Sequence, residues 1–176
     1  MLEEAQQREL IMKWYDEYNV AIFKYIYKMI HDGQEAEDLM QETFLRVFRY
    51  LRLEKEIQFP KTYLYRTARN LTIDHIRKQK PIQLVKELFT AKEKTVPATE
   101  TVVEIQEELR ELQEVVQTLK TSYREVIILR KIEGFTIQET AQILNWTENK
   151  VKYTLSRGLK MLDEKLSKGG VINEIF

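Results

Sequence analysis

No cysteine occurs in the 176 residues of this chain. Disulfides and thiolate metal sites are therefore excluded, and a reducing compartment is compatible. Excess charge is missing too: 28 basic and 28 acidic side chains cancel, which argues against a protein that coats nucleic acid through bulk charge. No apolar run approaches the roughly 18 residues that cross a bilayer. The first ten residues, "MLEEAQQREL", lack the basic, apolar, small-residue order of a secretory signal. A cytoplasmic protein with no membrane insertion of its own is expected. Glycine-rich phosphate loops, nucleophile elbows and triad contexts are absent, so neither catalytic residues nor a cofactor are expected and the protein is not read as an enzyme. Glu35, Glu37, Asp38 and Glu42 form an acidic cluster, but neither histidine stands in a Glu-x-x-His arrangement, so no metal site is expected. His75 is read as structural.

What the chain has in abundance is helical periodicity. At 176 residues, 43% hydrophobic and 32% charged, it has the size and composition of one domain or two small soluble ones. Ile11, Trp14, Tyr15, Tyr18, Ile22, Tyr25, Ile26 and Met29 recur at threes and fours until "HDGQ" interrupts them. Asp32 followed by Glu35 resembles a capping box for a second helix bearing Ala36, Met40, Phe44, Val47 and Leu51 on one face. Pro60 suits the start of a third helix running to about Gln79, with Pro81 just beyond its end. Residues 81–100, "PIQLVKELFTAKEKTVPATE", have two prolines and no sustained period, and are read as a linker. From Val102 the seam Val102, Ile105, Leu109, Leu112, Val116, Leu119 opens a second helical unit, with "SYREVIILRKI" as its next helix. The expectation is an all-α protein of two small helical domains, 1–80 and 101–176, joined by a flexible linker over 81–100.

The stretch "EGFTIQETAQILNWTENKVKYTLSRGLKML", residues 133–162, has the layout of a helix-turn-helix. Thr136 and Glu139 suit a capping box for a helix over about 137–144. Asn145 falls where the corner needs a residue tolerant of positive φ, and Thr147 suits the N-cap of the next helix. At 100° per residue that helix gathers Val151, Leu155, Gly158, Leu159 and Leu162 on one side. Asn149, Lys152, Tyr153, Ser156, Arg157 and Lys160 lie opposite. One face is apolar and the other cationic and hydrogen-bonding, the chemistry of a recognition helix in a major groove.

The third helix carries a comparable signal. Residues 61–80 hold Lys61, Arg66, Arg69, Arg77, Lys78 and Lys80 against Asp74 alone, a local charge of +5, whereas residues 1–58 hold 8 basic and 12 acidic side chains. The neutral total hides a dipolar layout. Arg66, Asn70, Asp74 and Arg77 share one side of the helix, with Leu64, Ala68, Leu71 and His75 on the other. Tyr63 and Tyr65 among these cations suit stacking on unpaired bases; the alternative keeps the tyrosines in the core.

"AEDLMQETFLRVFRYL" (36–51), "TYLYRTARNLTIDHIRK" (62–78) and "YREVIILRKIEGFTIQETAQILNWTENKVKYTLSRGLKML" (123–162) resemble, in order and spacing, regions 2 and 4 of the extracytoplasmic-function sigma factors. These are small members of the sigma-70 family of bacterial RNA polymerase specificity subunits. The resemblance implies that the protein binds core RNA polymerase, through the β′ clamp helices and the β flap, and directs promoter-specific transcription initiation. Glu37, Asp38, Gln41, Glu42 and Phe44 then face the polymerase. Lys61, Tyr63, Arg66, Arg69, Asn70 and Arg77, with the loop before them, are implied to melt and read the minus-10 element. Asn149, Lys150, Lys152, Tyr153, Ser156, Arg157 and Lys160 are implied to bind the minus-35 element. An anti-sigma protein is the further partner the resemblance implies.

The chain departs from the family pattern at Leu119-Lys120-Thr121-Ser122, where Leu-Pro is usual, at Asn145 for the corner glycine, at Asn149-Lys150-Val151 for Gly-Thr-Val, and at Gly158 for alanine. A free-standing helix-turn-helix regulator is the competing reading. It is motivated by the 102–119 seam with its outward glutamates, but leaves the basic third helix unexplained.

Overall fold

The computed structural model describes residues 2–89 and 107–169 and divides the chain into two units, 1–97 and 98–176. Every regular element among the described residues is helical. The first unit contains α1 (Glu4–Ile30), α2 (Gly33–Leu51) and α3 (Pro60–Phe89).

These three helices pack pairwise into a bundle. Trp14, Ile22, Tyr25, Ile26 and Met29 of α1 are buried against Ala36, Met40, Phe44, Val47 and Leu51 of α2 and Leu64, Tyr65, Ala68 and Leu71 of α3. The α1 and α2 seams are the ones the periodicity predicts. The break at "HDGQ" is a left-handed residue, His31 (φ 57°), whose amide donates to the Tyr27 carbonyl at 2.8 Å. Asp32 then caps α2 by accepting from the Glu35 amide at 3.0 Å. Only that half resembles the expected box, because the Glu35 carboxylate faces His75 of α3 instead, 3.6 Å away.

One boundary departs from expectation. The third helix does not stop before Pro81 but runs through it to Phe89. Proline removes one backbone donor and crowds the preceding turn, yet Gln83-Leu84-Val85-Lys86-Glu87-Leu88 beyond it consists mostly of good helix formers. Residues 81–89, expected as linker, are thus the last turns of α3. The remainder, 90–100, lies outside the described residues, as do Val102 and Ile105 of the seam.

The second unit contains α4 (Glu107–Gln117), α5 (Thr121–Ile127), a π turn (Ile128–Ile132), α6 (Ile137–Leu144) and α7 (Glu148–Gly169). "SYREVIILRKI" is therefore not one α-helix. After Ile127 the Glu133 amide reaches back five residues to the Ile128 carbonyl at 2.8 Å. Val126, Ile127, Ile128 and Leu129 are consecutive and all buried, more than a single stripe of an amphipathic helix covers. The turn closes at Gly134 (φ 76°), and the Arg130 guanidinium donates to the Phe135 carbonyl. Arg124 donates to the carbonyls of Gln117 and Leu119 at the end of α4. Burial lowers its pKa, with Glu125 opposing that shift.

Candidate nucleic-acid interface

The corner before α7 is a Schellman motif. Asn145 adopts φ 54°, ψ 46°, its amide donates to Gln142, and the Trp146 amide donates to Ala141 at 3.0 Å. Upstream, Thr136 and Glu139 make the full capping box, at 2.8 and 3.1 Å. Downstream, Thr147 Oγ1 accepts from the Lys150 amide at 3.2 Å. The corner thus fixes where α7 begins and which of its faces turns outward.

On α7, Val151, Gly158 and Leu162 are buried, with Leu155 and Leu159 half-buried beside them. Thr154 joins this buried side, which the apolar pattern did not reveal. Asn149, Lys150, Lys152, Tyr153, Ser156, Arg157 and Lys160 are all exposed; Tyr153 retains 60% of its surface. Two cations rest on rings: Lys150 Nζ lies 4.3 Å from the Trp146 ring centroid, and the Arg157 guanidinium carbon 4.9 Å from that of Tyr153. Trp146 was not among the expected site residues. Its position four residues before Lys150, matched by Tyr153 before Arg157, was the available signal.

On α3, Lys61, Arg66, Asn70 and Arg77 are exposed, and Tyr63 and Arg69 half-buried. Arg69 approaches the Asn70 carboxamide at 3.4 Å. The two tyrosines separate: Tyr65 is core at 1% exposure, its ring 5.2 Å from that of Tyr25. Tyr63 lies at the surface with its ring 5.0 Å from Tyr50, and Lys55 stands 5.0 Å from the other ring of this pair. Tyr50 is a second aromatic at this site that the helical pattern left unmarked. Burial, then the neighbouring Tyr50, raises the Tyr63 pKa; Arg66 pulls it the other way. In the loop before α3, Leu53 and Phe59 stand 66% and 64% exposed.

On α2, Glu37, Asp38 and Gln41 are exposed and Glu42 half-buried. Phe44 is not part of that face. It is 5% exposed and meets Tyr15 edge to face at 5.0 Å. Its position on the apolar stripe of α2 puts it against α1, whereas the apolar side chain beside the acids is Leu45, half of whose surface is open. Glu42 also pairs with Arg46 at 2.9 Å and Arg49 at 3.7 Å, so the acidic patch ends in cations one and two turns on. Among the described residues no group of three or more His, Cys, Asp or Glu could hold a metal ion, and no helix is long and apolar enough to cross a membrane.

Comparison with known proteins agrees with these two units. Sigma-70 region 2 matches residues 14–82 and Sigma-70, region 4, matches residues 109–162. The ECF RNA polymerase sigma factor SigX of Bacillus subtilis is 35% identical over 84% of this chain and 79% of its own length. SigW of the same organism, another such factor, is 31% identical over 86% of each. Among solved structures, the sigma factor RpoE in complex with the anti-sigma factor NepR, from Bartonella quintana, shares the fold with a TM-score of 0.70 at 22% identity, covering 89% of this chain and 96% of that one. CnrH in complex with the cytosolic domain of CnrY gives 0.68 at 20% identity, covering 94% and 95%. Two sigma-70 regions on one chain do not favour the free-standing regulator.

Proposed function

The chain belongs to the extracytoplasmic-function sigma factors of the sigma-70 family, and from that membership we propose how its two units divide the work of directing transcription initiation. The first unit holds core RNA polymerase through the exposed Glu37, Asp38, Gln41 and Glu42 of α2 with Leu45 beside them. It opens and reads the minus-10 element with Lys61, Tyr63, Arg66, Arg69, Asn70 and Arg77 of α3. The second unit binds the minus-35 element with the exposed face of α7. The boundaries proposed for the two units and their tether are 1–80, 81–100 and 101–176, with the tether entered through the last turns of α3, which end at Phe89.

The observation that carries this reading is the outward face of α7. Seven polar or cationic side chains stand free of the core behind a corner whose hydrogen bonds set the helix start. Melting at the minus-10 element would set a few kcal/mol of unstacking against new contacts made by α3 and the loop before it. Sigma factors are non-catalytic initiation factors, and we assign this chain no reaction, cofactor or metal of its own. It works where core polymerase and promoter DNA are, in the cytoplasm. An anti-sigma protein that covers the α2 and α7 faces is its proposed inhibitor, by analogy with the complexes of RpoE with NepR and of CnrH with CnrY.

The test combines the purified protein with its cognate core RNA polymerase and genomic DNA fragments, followed by sequencing of transcript 5′ ends. A small set of start sites sharing two spaced elements is expected. Absence of core binding and of new start sites would overturn the assignment.

A further inference from the structure

Around α7 the exposed side chains occupy distinct positions. At 100° per residue, Asn149, Tyr153, Ser156 and Lys160 fall within about 60° of one another at the centre of the outward face. Lys150 and Arg157 lie within about 20° of each other on one flank, next to the buried Thr154. Seven residues of helix separate these two cations by about 10 Å along the axis. Each rests on a ring four residues earlier in the chain, Lys150 on Trp146 at 4.3 Å and Arg157 on Tyr153 at 4.9 Å. Helical side chains lean toward the N-terminus, which is why the supporting ring precedes its cation in both pairs.

Long cationic side chains on an open surface ordinarily sample many rotamers, and fixing one costs entropy on binding. A ring beneath the charge removes part of that cost before DNA arrives. When the centre of a helix faces base edges, its flanks face the phosphates that line the groove. Trp146 is itself fixed at the backbone, since its amide closes the Schellman corner.

We propose that Lys150 and Arg157 form a ring-backed phosphate rail along one flank of the recognition helix, and that Trp146 is a positioning residue that sets the Lys150 ammonium for a backbone phosphate. This deepens the minus-35 assignment of α7 and rests on it. The rail sets affinity and register, and sequence is left to the residues at the centre of the face.

The test uses the full chain assembled with cognate core polymerase. Binding is measured across a salt series, on a promoter duplex obtained from start-site mapping and on a panel carrying single base-pair changes in its upstream element. Lys150→Ala and Arg157→Ala should each weaken binding by the same factor on every duplex and each lower the salt slope by about 0.9. Trp146→Leu should weaken binding about two- to fivefold with the slope intact, and Trp146→Phe should restore it. Combined with Lys150→Ala, the Trp146→Leu change should add no further loss, because the ring acts through the ammonium. Full additivity in that double variant would reduce Trp146 to a structural residue and overturn its positioning role. Loss of discrimination at one base pair in Lys150→Ala or Arg157→Ala would make that residue a base reader and sink the rail alone. Wild-type holoenzyme indifferent to the whole panel would sink the minus-35 assignment beneath it.

Discussion

The rings of Tyr15 and Phe44 meet edge to face with centroids 5.0 Å apart, which ties α2 to α1 and turns Leu45, the next residue, outward. Two neighbouring apolar residues on α2 thus face different sides, and the proposed polymerase face takes only the second. Phe44→Ala should destabilise the first unit by about 3–5 kcal/mol through the cavity it leaves. Leu45→Ala should leave the melting transition nearly unchanged while weakening core polymerase binding severalfold. Thermal melts beside a core-binding titration separate the two, and a Leu45→Ala protein with undiminished core affinity would remove Leu45 from the polymerase face.

Gly158 stands inside α7, where helix propensity alone favours alanine by about 1 kcal/mol. A Cβ there would lie 3.2 Å from both Ile127 Cδ1 and Tyr123 Cβ of α5. The isoleucine tip can shift, but Tyr123 Cβ moves only with its backbone. Overpacking of about 1–3 kcal/mol then matches or exceeds the propensity gain. Gly158→Ala should be neutral to mildly destabilising and Gly158→Val strongly destabilising in thermal denaturation of the full chain. A clear rise in melting temperature for Gly158→Ala would show that α5 yields more readily than this packing implies.

Most of this was legible in the sequence wherever one local interaction decides the backbone. Thr136 with Glu139, Asn145 at the corner and Thr147 at the next cap all act within a few residues of themselves, and each could be placed from residue type and spacing. What periodicity did not reveal depends on partners distant in sequence or on competition between rules. The π turn at 128–132 answers four consecutive buried residues, and Pro81 was overruled by the helix formers that follow it. Phe44 and Leu45 are equally apolar letters; only the packing of α1 on α2 decides which is covered. Tyr63 and Tyr65 divide in the same way, by which side of α3 meets Tyr25.

The Tyr63 phenol supplies a titration handle on the candidate minus-10 surface. Burial first and Tyr50 second raise its pKa above the ordinary tyrosine value, while Arg66 lowers it. A folded-state value above the unfolded one means that the stabilising contribution is present below about pH 10 and is lost as pH climbs through the folded value. Promoter opening between pH 7 and 9 should therefore show no titration from this group. In phenolate absorbance titrations Tyr50→Phe should lower the Tyr63 midpoint and Arg66→Ala should raise it further. A midpoint unmoved by both changes would separate Tyr63 from these neighbours in solution.

Arg66 and Asn70 are one helical turn apart on the exposed side of α3, away from the buried Leu64, Ala68 and Leu71. Truncating either leaves the bundle core untouched, so stability should change by less than about 0.5 kcal/mol. If this side chain pair contacts the opened strand, the loss appears only after the polymerase is assembled and the duplex is melted. Charge-assisted hydrogen bonds of about 1.5–3 kcal/mol correspond to roughly ten- to a hundredfold in the opening equilibrium. Arg66→Ala should therefore reduce permanganate reactivity of minus-10 thymines by about that factor, and Asn70→Ala by less, because its contact is neutral. Core affinity and minus-35-dependent binding of the closed complex should remain at wild-type levels in both. Equal losses in closed and open complexes would instead assign Arg66 to the duplex phosphates, since a contact made before melting cannot drive it.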